Sequence, residues 1–317
     1  MASIDNVQQY GCQVDEMKKI LAIDGGGIKG VFSVSLLAEI ERMCGGNICD
    51  YFDLLAGTST GAIIAAALSI KIPAYDILEL YINKGINIFP RKSWKLFKGK
   101  YSTEPLKKEL ARIFKDKKMK DSNTRLLIPA YNLSTDSVQI FKTPHAKNLY
   151  FDKDRKIKEV LLATTAAPMY FSPYKMQGGT YMDGGVGANN PSLVAYIEGI
   201  TRCGWNKDEI MILNIGNVTS GKNTTGKEKM GLANFLTMQQ CFMNAESQYA
   251  TNICRLLMGD KYIRIEESAK KGEVQLDKVD QVSLTKLRDL GFNSAQRNYD
   301  KIKQEFLSDK KEEVIFY

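Results

Sequence analysis

Short buried runs alternate with longer periodic segments along the first part of the chain. Residues 19–24 and 52–56 are apolar runs of strand length, and each is followed by a glycine-containing turn. Residues 31–43 carry apolar side chains at helical spacing, and residues 62–69 are small and apolar, as in a buried helix. Strands that alternate with helices predict an α/β fold with a mainly parallel sheet.

The alternation continues beyond residue 120 and then changes. The pattern predicts strands at 126–131, 138–141, 180–182 and 209–215, and a helix at 156–167. From about Leu232 onward the pattern is mainly helical. We therefore predict an N-terminal arm at 1–19, a core at 20–215 and a mainly helical extension, packed on the core, at 216–317.

Composition narrows the class of protein. The 317 residues are 44% hydrophobic and 25% charged, so the chain has ample material for a buried core. The longest apolar run, 62–68, is too short to span a bilayer, and the N-terminus lacks the pattern of a signal peptide. The six cysteines are dispersed without a CxxC pair, which argues against disulfides and metal ligation. These features predict a cytoplasmic protein without a metal.

Positive charge is concentrated in one stretch. The net charge is +8, and residues 91–120 alone hold twelve Lys and Arg against three Asp and Glu. Residues 106–118 have the spacing of an amphipathic helix that packs on the core. The looser half, 89–101, interleaves aromatic rings with its lysines, as in proteins that contact anionic lipid: Trp94, Phe97 and Tyr101. We expect membrane contact there, with a plain surface loop as the alternative, and no nucleic-acid partner.

The turn after the second predicted strand contains a candidate nucleophile. The GTSTG sequence at residues 57–61 has the GxSxG form, in which a serine occupies a strained turn between a strand and a helix. The Ser59 hydroxyl would lie at a helix start, where the dipole favours developing negative charge. A simple Gly/Ser turn is the alternative, but a preceding buried strand and a following small-residue helix favour catalysis.

The GGGIKG sequence at residues 25–30 follows the first predicted strand. Such a loop can begin a dinucleotide site or supply backbone N–H groups to an oxyanion hole. A dinucleotide site needs an acidic residue near the end of the second strand, which here runs into Gly57 instead. We therefore favour an oxyanion hole beside Ser59, with a nucleotide-binding regulatory module as the alternative.

Two residues are candidates for the general base. His145, the only histidine, lies in a polar turn, so we expect it to be exposed or merely hydrogen-bonded rather than part of a Ser-His-Asp triad. Asp183 ends a short extended run and precedes two glycines. A carboxylate can take a serine proton if the site is dry and the oxyanion hole carries most of the stabilisation. Taken alone, Asp183 fits a hairpin turn equally well.

In this order, these motifs resemble those of the patatin-like phospholipase family. The likeness takes in DGGGIKG at 24–30, GTSTG at 57–61 and DGG at 183–185, and also YFD at 51–53, AAPMYF at 166–171 and NNP at 189–191. It covers about residues 20–215. The resemblance implies a three-layer α/β/α sandwich with a mainly parallel central sheet, and a lipid acyl hydrolase with a Ser–Asp dyad.

The resemblance also implies roles for single residues. Ser59 would be the nucleophile, Asp183 the general base, and Gly25, Gly26 and Gly27 the donors of the oxyanion hole. The remaining motif residues would support these groups: Lys29, Gly30, Gly57, Gly61, Gly184 and Gly185. No metal or other cofactor is implied.

The expected function is that of a phospholipase A-type enzyme. It would cleave carboxylic esters of membrane glycerophospholipids, release fatty acid, and associate peripherally with the membrane when active. Bacterial members of the family include antiviral effectors that cyclic nucleotides switch on, so activation by a small anionic ligand of this kind is a further hypothesis. The alternatives are a nucleotide-binding module and a storage or scaffold protein.

Overall fold

The structure is a computed structural model that describes residues 17–88, 101–220, 235–269 and 280–317. Within these ranges, eight strands and eight helices follow one another along the chain. The strands are β1 (Lys18–Ile23), β2 (Leu54–Gly57), β3 (Arg125–Asn132), β4 (Ser137–Lys142), β5 (Tyr174–Met176), β6 (Gly179–Asp183), β7 (Ile210–Ser220) and β8 (Tyr262–Ala269). The helices are α1 (Gly30–Cys44), α2 (Thr60–Ser69), α3 (Ala74–Ile88), α4 (Glu104–Phe114), α5 (Ile157–Thr164), α6 (Ser192–Thr201), α7 (Phe235–Met258) and α8 (Gln281–Phe306).

All eight strands form one mixed sheet. Its order is β5-β6-β3-β2-β1-β7-β8, and β4 pairs with β3 beside this path. The run from β3 to β8 is parallel, whereas β4, β5 and β6 join it in antiparallel fashion. Ile23 at the end of β1 pairs with Gly57 at the end of β2. The two glycine motifs that follow these strands therefore meet at one edge of the sheet.

Helices cover both faces of the sheet. Side chains alternate along β1, so Leu21 and Ile23 face a core that includes residues of α1, α2, α3 and α8. Ile20 and Ala22 face a second core, which includes residues of α6 and α7. This arrangement confirms the predicted three-layer α/β/α fold and the helical character of the C-terminal part.

The C-terminal part also contains a strand that the sequence analysis did not predict. β8 pairs in parallel with β7 and extends the central sheet. Apolar and charged residues alternate only over residues 263–266 of this strand, and the side chain of one of the charged residues, Arg264, is buried. The proposed division of the chain at 19/20 and 215/216 stays a prediction, although β1 begins at Lys18 and β7 continues to Ser220.

The basic stretch is partly described. The amphipathic helix predicted there is present as α4, which buries Leu106, Leu110 and Phe114. Tyr101 is buried as well, with its ring 6.2 Å from that of Tyr170, so it is not the exposed ring that we expected. The other residues of the predicted membrane-contact segment, 89–100, lie outside the described residues. Among the described helices, none has both the length and the apolar character required to cross a bilayer.

Candidate active site

Ser59 lies in a strained turn between β2 and α2. Its φ of 53° is in the left-handed region that few residues other than glycine adopt. The flanking glycines are required by close packing. A Cβ on Gly57 would come within 2.3 Å of the Gly61 carbonyl oxygen, and one on Gly61 within 2.4 Å of the Ile23 carbonyl oxygen. The GxSxG spacing thus lets α2 begin directly against β1 and β2.

The Ser59 hydroxyl donates a hydrogen bond of 2.6 Å to Asp183 Oδ2. We call this pair the dyad. Asp183 ends β6, and its Oδ1 accepts a bond of 2.8 Å from the Gly185 N–H. Burial raises the pKa of Asp183 to about 6, although the hydrogen bonds from Ser59 and Gly185 oppose the rise. The dyad therefore holds a carboxylate that accepts protons more readily than an ordinary aspartate.

Thr164, at the end of α5, holds the nucleophile turn in place. The Ser59 N–H donates to Thr164 Oγ1 at 3.0 Å, and the Thr164 hydroxyl donates to the Pro129 carbonyl at 2.6 Å. On the other side of the turn, the Thr58 hydroxyl donates to the Ala188 carbonyl at 2.6 Å. Thr164 could not be found from the sequence, because a threonine at the end of a helix forms no motif.

The glycine-rich loop lies against the start of α2. The Gly25 N–H donates to the Asn189 carbonyl at 3.0 Å, and the Gly26 N–H donates to Thr60 Oγ1 at 3.3 Å. Gly27 has a φ of 58° and borders the same cleft as the dyad. In the ranges that the structure describes, no group accepts a hydrogen bond from the N–H of Gly27 or of Thr60. Two of the three predicted oxyanion donors thus already have partners.

The other predicted motif residues shape the backbone near the dyad. Gly30 begins α1. A Cβ on Gly184 would lie 2.2 Å from a carbonyl oxygen of β3, and one on Gly185 would lie 2.8 Å from Asn189 Oδ1. Lys29 is buried, and burial lowers its pKa to about 8. No carboxylate among the described residues forms an ion pair with Lys29.

An apolar cleft opens beside the dyad. The space in and around it, open solvent included, is about 850 Å³. Apolar side chains of α2, α3 and α4 line one side: Ile63, Leu80, Leu106, Leu110 and Ile113. Gln239 and Met243 of α7 also line it, as do Tyr170 and Phe171. The dyad therefore faces a space whose walls match a hydrocarbon chain.

A buried ion pair connects the glycine-rich loop to β8. Arg264 lies 2.9 Å from the carboxylate of Asp24, and their side chains are 6% and 1% exposed. Asp24 Oδ1 also accepts a bond of 2.9 Å from Asn214, which in turn accepts one of 2.8 Å from the Tyr262 hydroxyl. Because Asp24 immediately precedes the glycines, residues of β7 and β8 help to fix the loop.

His145 belongs to a different buried group. Its Nδ1 lies 2.8 Å from Thr143 Oγ1, and its Nε2 lies 3.2 Å from Glu198 Oε1. Lys142 forms an ion pair with the same glutamate. We call these four residues the Thr143 cluster. His145 is hydrogen-bonded, which is one of the two states expected from the sequence, but it is buried rather than exposed. It is not the partner of Ser59, whose hydroxyl bonds to Asp183.

Metal ligands are not grouped in the described part of the chain. No set of three or more His, Cys, Asp or Glu side chains within it could hold a metal ion. The five cysteines described there are free thiols, and two of them, Cys49 and Cys254, are buried.

Comparison with known proteins identifies the family. The sequence profile described as "Patatin-like phospholipase" matches residues 21–196, more than half of the chain. The chain belongs to the patatin-like phospholipase family. This confirms the resemblance seen in the motifs, and it makes the protein a lipid hydrolase by family.

Relatives and a solved structure agree with this assignment. The chain is 32% identical to a "cGAMP-activated phospholipase" of Pseudomonas aeruginosa, over 94% of each chain. It is 31% identical to a protein of the same name from Vibrio cholerae, over 90% of this chain and 92% of the relative. VipD from Legionella pneumophila superposes with a TM-score of 0.53 at 12% identity, over 90% of this patatin-like chain and 67% of VipD, and it shares the fold.

Proposed function

We propose that this patatin-like protein is a serine hydrolase of the phospholipase A type, which cleaves carboxylic esters of membrane glycerophospholipids. The observation that carries the proposal is the 2.6 Å hydrogen bond from Ser59 to Asp183 beside an apolar cleft. The family supplies the reaction class, and the site supplies a nucleophile, a base and room for an acyl chain.

In the first step, Ser59 Oγ attacks the ester carbonyl carbon while Asp183 takes the hydroxyl proton. The N–H groups of Gly27 and Thr60 have no partner among the described residues, so they are the donors best placed to bind the oxyanion. Gly25 and Gly26 then hold the loop, and the Gly26 bond of 3.3 Å is long enough to be exchanged for one to substrate.

The intermediate then collapses and the carbon–oxygen bond to the lyso-lipid breaks. Asp183 returns its proton to the departing alcohol oxygen. A water molecule next gives a proton to Asp183 and attacks the acyl-enzyme carbonyl. The bond between the acyl carbon and Ser59 Oγ then breaks, Asp183 returns the proton to Oγ, and the fatty acid leaves. The elevated pKa of Asp183, about 6, suits a carboxyl group that must both take and return a proton.

The decisive experiment measures fatty-acid release from mixed phospholipid vesicles. Wild-type protein should release fatty acid, and Ser59→Ala should not. Circular dichroism of both proteins controls for folding, because one hydroxyl near a helix start is a small packing change. Equal release by the two proteins would exclude Ser59 as the nucleophile.

We further propose that a cyclic nucleotide activates the enzyme. The support is that two relatives, which match over at least nine tenths of this chain, carry the name "cGAMP-activated phospholipase". Vesicle hydrolysis should therefore rise when cyclic GMP-AMP is added. Equal hydrolysis with and without it, in a protein whose activity depends on Ser59, would reject the activator and retain the hydrolase.

The glycine-rich loop supports hydrolysis better than dinucleotide binding. A pyrophosphate would need free backbone N–H groups at the start of α1. Here the N–H groups of Gly25 and Gly26 donate within the protein, and the neighbouring Asp24 carboxylate pairs with Arg264. Binding of a dinucleotide that competes with an ester substrate would reverse this preference.

A further inference from the structure

A second apolar space lies next to the cleft, and residues of the same three helices, α2, α3 and α4, line it. We call it the distal space. Open solvent included, the space in and around it is about 640 Å³. Its charged lining residues, Asp76 and Arg112, are both exposed. Buried or half-buried apolar side chains line the rest, among them Ala67, Ile72, Ile77 and Phe114. The reaction steps proposed above do not use this space.

Three side chains belong to the walls of both the cleft and the distal space. They are Ile63 of α2, Leu80 of α3 and Ile113 of α4, and we call them the neck. Ile63 is 6% exposed, and the other two are half-buried. Because each of the three helices contributes one apolar side chain, the neck matches a hydrocarbon chain as well as the cleft does.

Helix α2 gives the distance from the nucleophile to the distal space. Ser59 directly precedes α2, Ile63 lies one turn later at the neck, and Ala67 lines the distal space after a further turn. At 1.5 Å per residue, Ala67 lies about 12 Å from Ser59 along the helix axis. An acyl chain that is attached to Ser59 and follows α2 therefore passes the neck before it reaches Ala67.

The other two helices are divided between the two spaces in the same way. On α4, Leu106 lines the cleft and Phe114 lines the distal space. Helix α3 shows the same division in the opposite chain direction, since Ile77 lines the distal space and Tyr81 lines the cleft. The cleft and the distal space are therefore consecutive along all three helices, with the neck between them.

We propose that the distal space binds the far end of the acyl chain, beyond the neck, while the ester group lies at the dyad. The inference rests on the proposed function and assigns an acyl-chain subsite to it. A chain long enough to pass the neck buries more methylene groups than a short chain, and the burial of each one is favourable. The enzyme therefore prefers esters of long fatty acids, such as those of membrane lipids.

The test compares a long and a short acyl ester in Ala67→Leu, whose larger side chain fills part of the distal space. The substrates are p-nitrophenyl palmitate and p-nitrophenyl butyrate in the same detergent micelles, with cyclic GMP-AMP present. The four-carbon chain is too short to reach the distal space, so the butyrate ester is the internal reference. The palmitate-to-butyrate ratio of kcat/KM should fall about tenfold or more from its wild-type value, because each methylene group excluded from an apolar site costs about fourfold.

Ile64→Val is the matched control. Ile64 follows the neck residue Ile63 on α2 and is fully buried, but it lines neither space. Its replacement disturbs the packing of α2, so it should lower the melting temperature without changing the substrate ratio. Ala67→Leu should keep or raise the melting temperature, because it fills a space instead of leaving one. A ratio of two substrates is independent of the fraction of folded enzyme, so it separates recognition from stability.

A second variant and the nucleophile variant make each outcome decisive. Ile72→Phe fills the distal space from the segment between α2 and α3, and it should lower the ratio in the same way. An unchanged ratio in both variants overturns the inference, and so does an equal change in Ile64→Val. Wild-type protein that hydrolyses the butyrate ester but not the palmitate ester overturns it as well. Hydrolysis that survives Ser59→Ala, or no hydrolysis of either ester by the wild type, overturns the proposed function instead.

Discussion

The dyad and the Thr143 cluster are both buried groups that join a hydroxyl to a carboxylate. In the Thr143 cluster, hydroxyl, imidazole and carboxylate follow one another in the order of a hydrolase triad. However, Thr143 is fully buried, and its oxygen also accepts the N–H of Leu126 at 3.0 Å. No member of this cluster lines the cleft that Ser59 and Asp183 share.

The dyad and the Thr143 cluster also differ in the groups that balance the charge of the buried carboxylate. Burial pushes the pKa of Glu198 upward, but the hydrogen bonds from His145 and Lys142 outweigh this effect and hold it below its usual value. Among the described residues, only the neutral donors Ser59 and Gly185 bond to Asp183, so burial dominates and raises its pKa to about 6. The reactivity of such a group therefore depends on its access to the cleft and on whether a cation balances its carboxylate. Residue types alone do not decide it.

The largest expected effect is on catalysis by the dyad. Ser59→Ala and Asp183→Asn should each lower fatty-acid release about 10³-fold or more, because they remove the nucleophile and the proton acceptor. The Asp183→Asn protein should remain folded, since the amide keeps the shape of the carboxylate and avoids a buried charge. Release that stays within tenfold of the wild-type rate would show that another pair performs the reaction.

Arg264 provides the next test, since its buried pair with Asp24 joins a cation to a carboxylate, as the Thr143 cluster does, but lies beside the glycine-rich loop. Arg264→Met leaves the buried Asp24 carboxylate without its cation, which should lower the free energy of unfolding by about 3–5 kcal/mol. The double variant Asp24→Asn/Arg264→Met should recover most of that loss in denaturant unfolding. No recovery would mean that Arg264 stabilises the fold through other contacts.

The pH dependence of hydrolysis tests whether Asp183 is the general base. In the proposed mechanism only ionised Asp183 accepts the serine proton, so kcat should fall about tenfold per pH unit below pH 6 and level off above it. Stability changes in the opposite direction: the folded-state pKa of Asp183 lies above the ordinary value of 3.8, so this group destabilises the fold as pH rises from about 4 to about 6. The acidic limb should persist in His145→Ala, and its disappearance there would contradict Asp183 as the base.

The smallest effect on catalysis is expected in the Thr143 cluster. His145→Ala and Glu198→Gln should leave hydrolysis per folded molecule within about twofold, because neither residue contacts the cleft. Each should lower the free energy of unfolding by about 1–3 kcal/mol, since buried partners lose their hydrogen bonds. A loss of activity comparable to that of Ser59→Ala would restore the histidine triad.

The residues of the dyad could be predicted because their requirements are local. A serine in a strained turn needs small neighbours, and so Gly57 and Gly61 mark Ser59 within five residues of sequence. Asp183 is followed by two glycines, but taken alone it fits a hairpin turn equally well, and the order of the motifs along the chain singled it out. The order of these motifs along the chain was enough to predict the layers of the fold and the family.

Groups that act across long sequence separations could not be predicted. Arg264 is a charged residue in a strand with charged neighbours, and only the fold shows that its partner is Asp24. Gln239 lies on a helix whose periodicity does not reveal which face meets the cleft. The burial of His145 depends on Glu198, 53 residues away, so its polar surroundings in the sequence were misleading.

The backbone at Ser59 has a consequence for how this enzyme can lose its activity over evolutionary time. Glycine usually stabilises a protein less than alanine does, since it loses more conformational freedom on folding. A φ of 53° reverses that order at this position, because a side chain there costs about 1–3 kcal/mol. Ser59→Gly should therefore unfold at a higher temperature than Ser59→Ala, although both lack the nucleophile. Replacement of Ser59 by glycine relieves backbone strain, and only selection for catalytic activity opposes it.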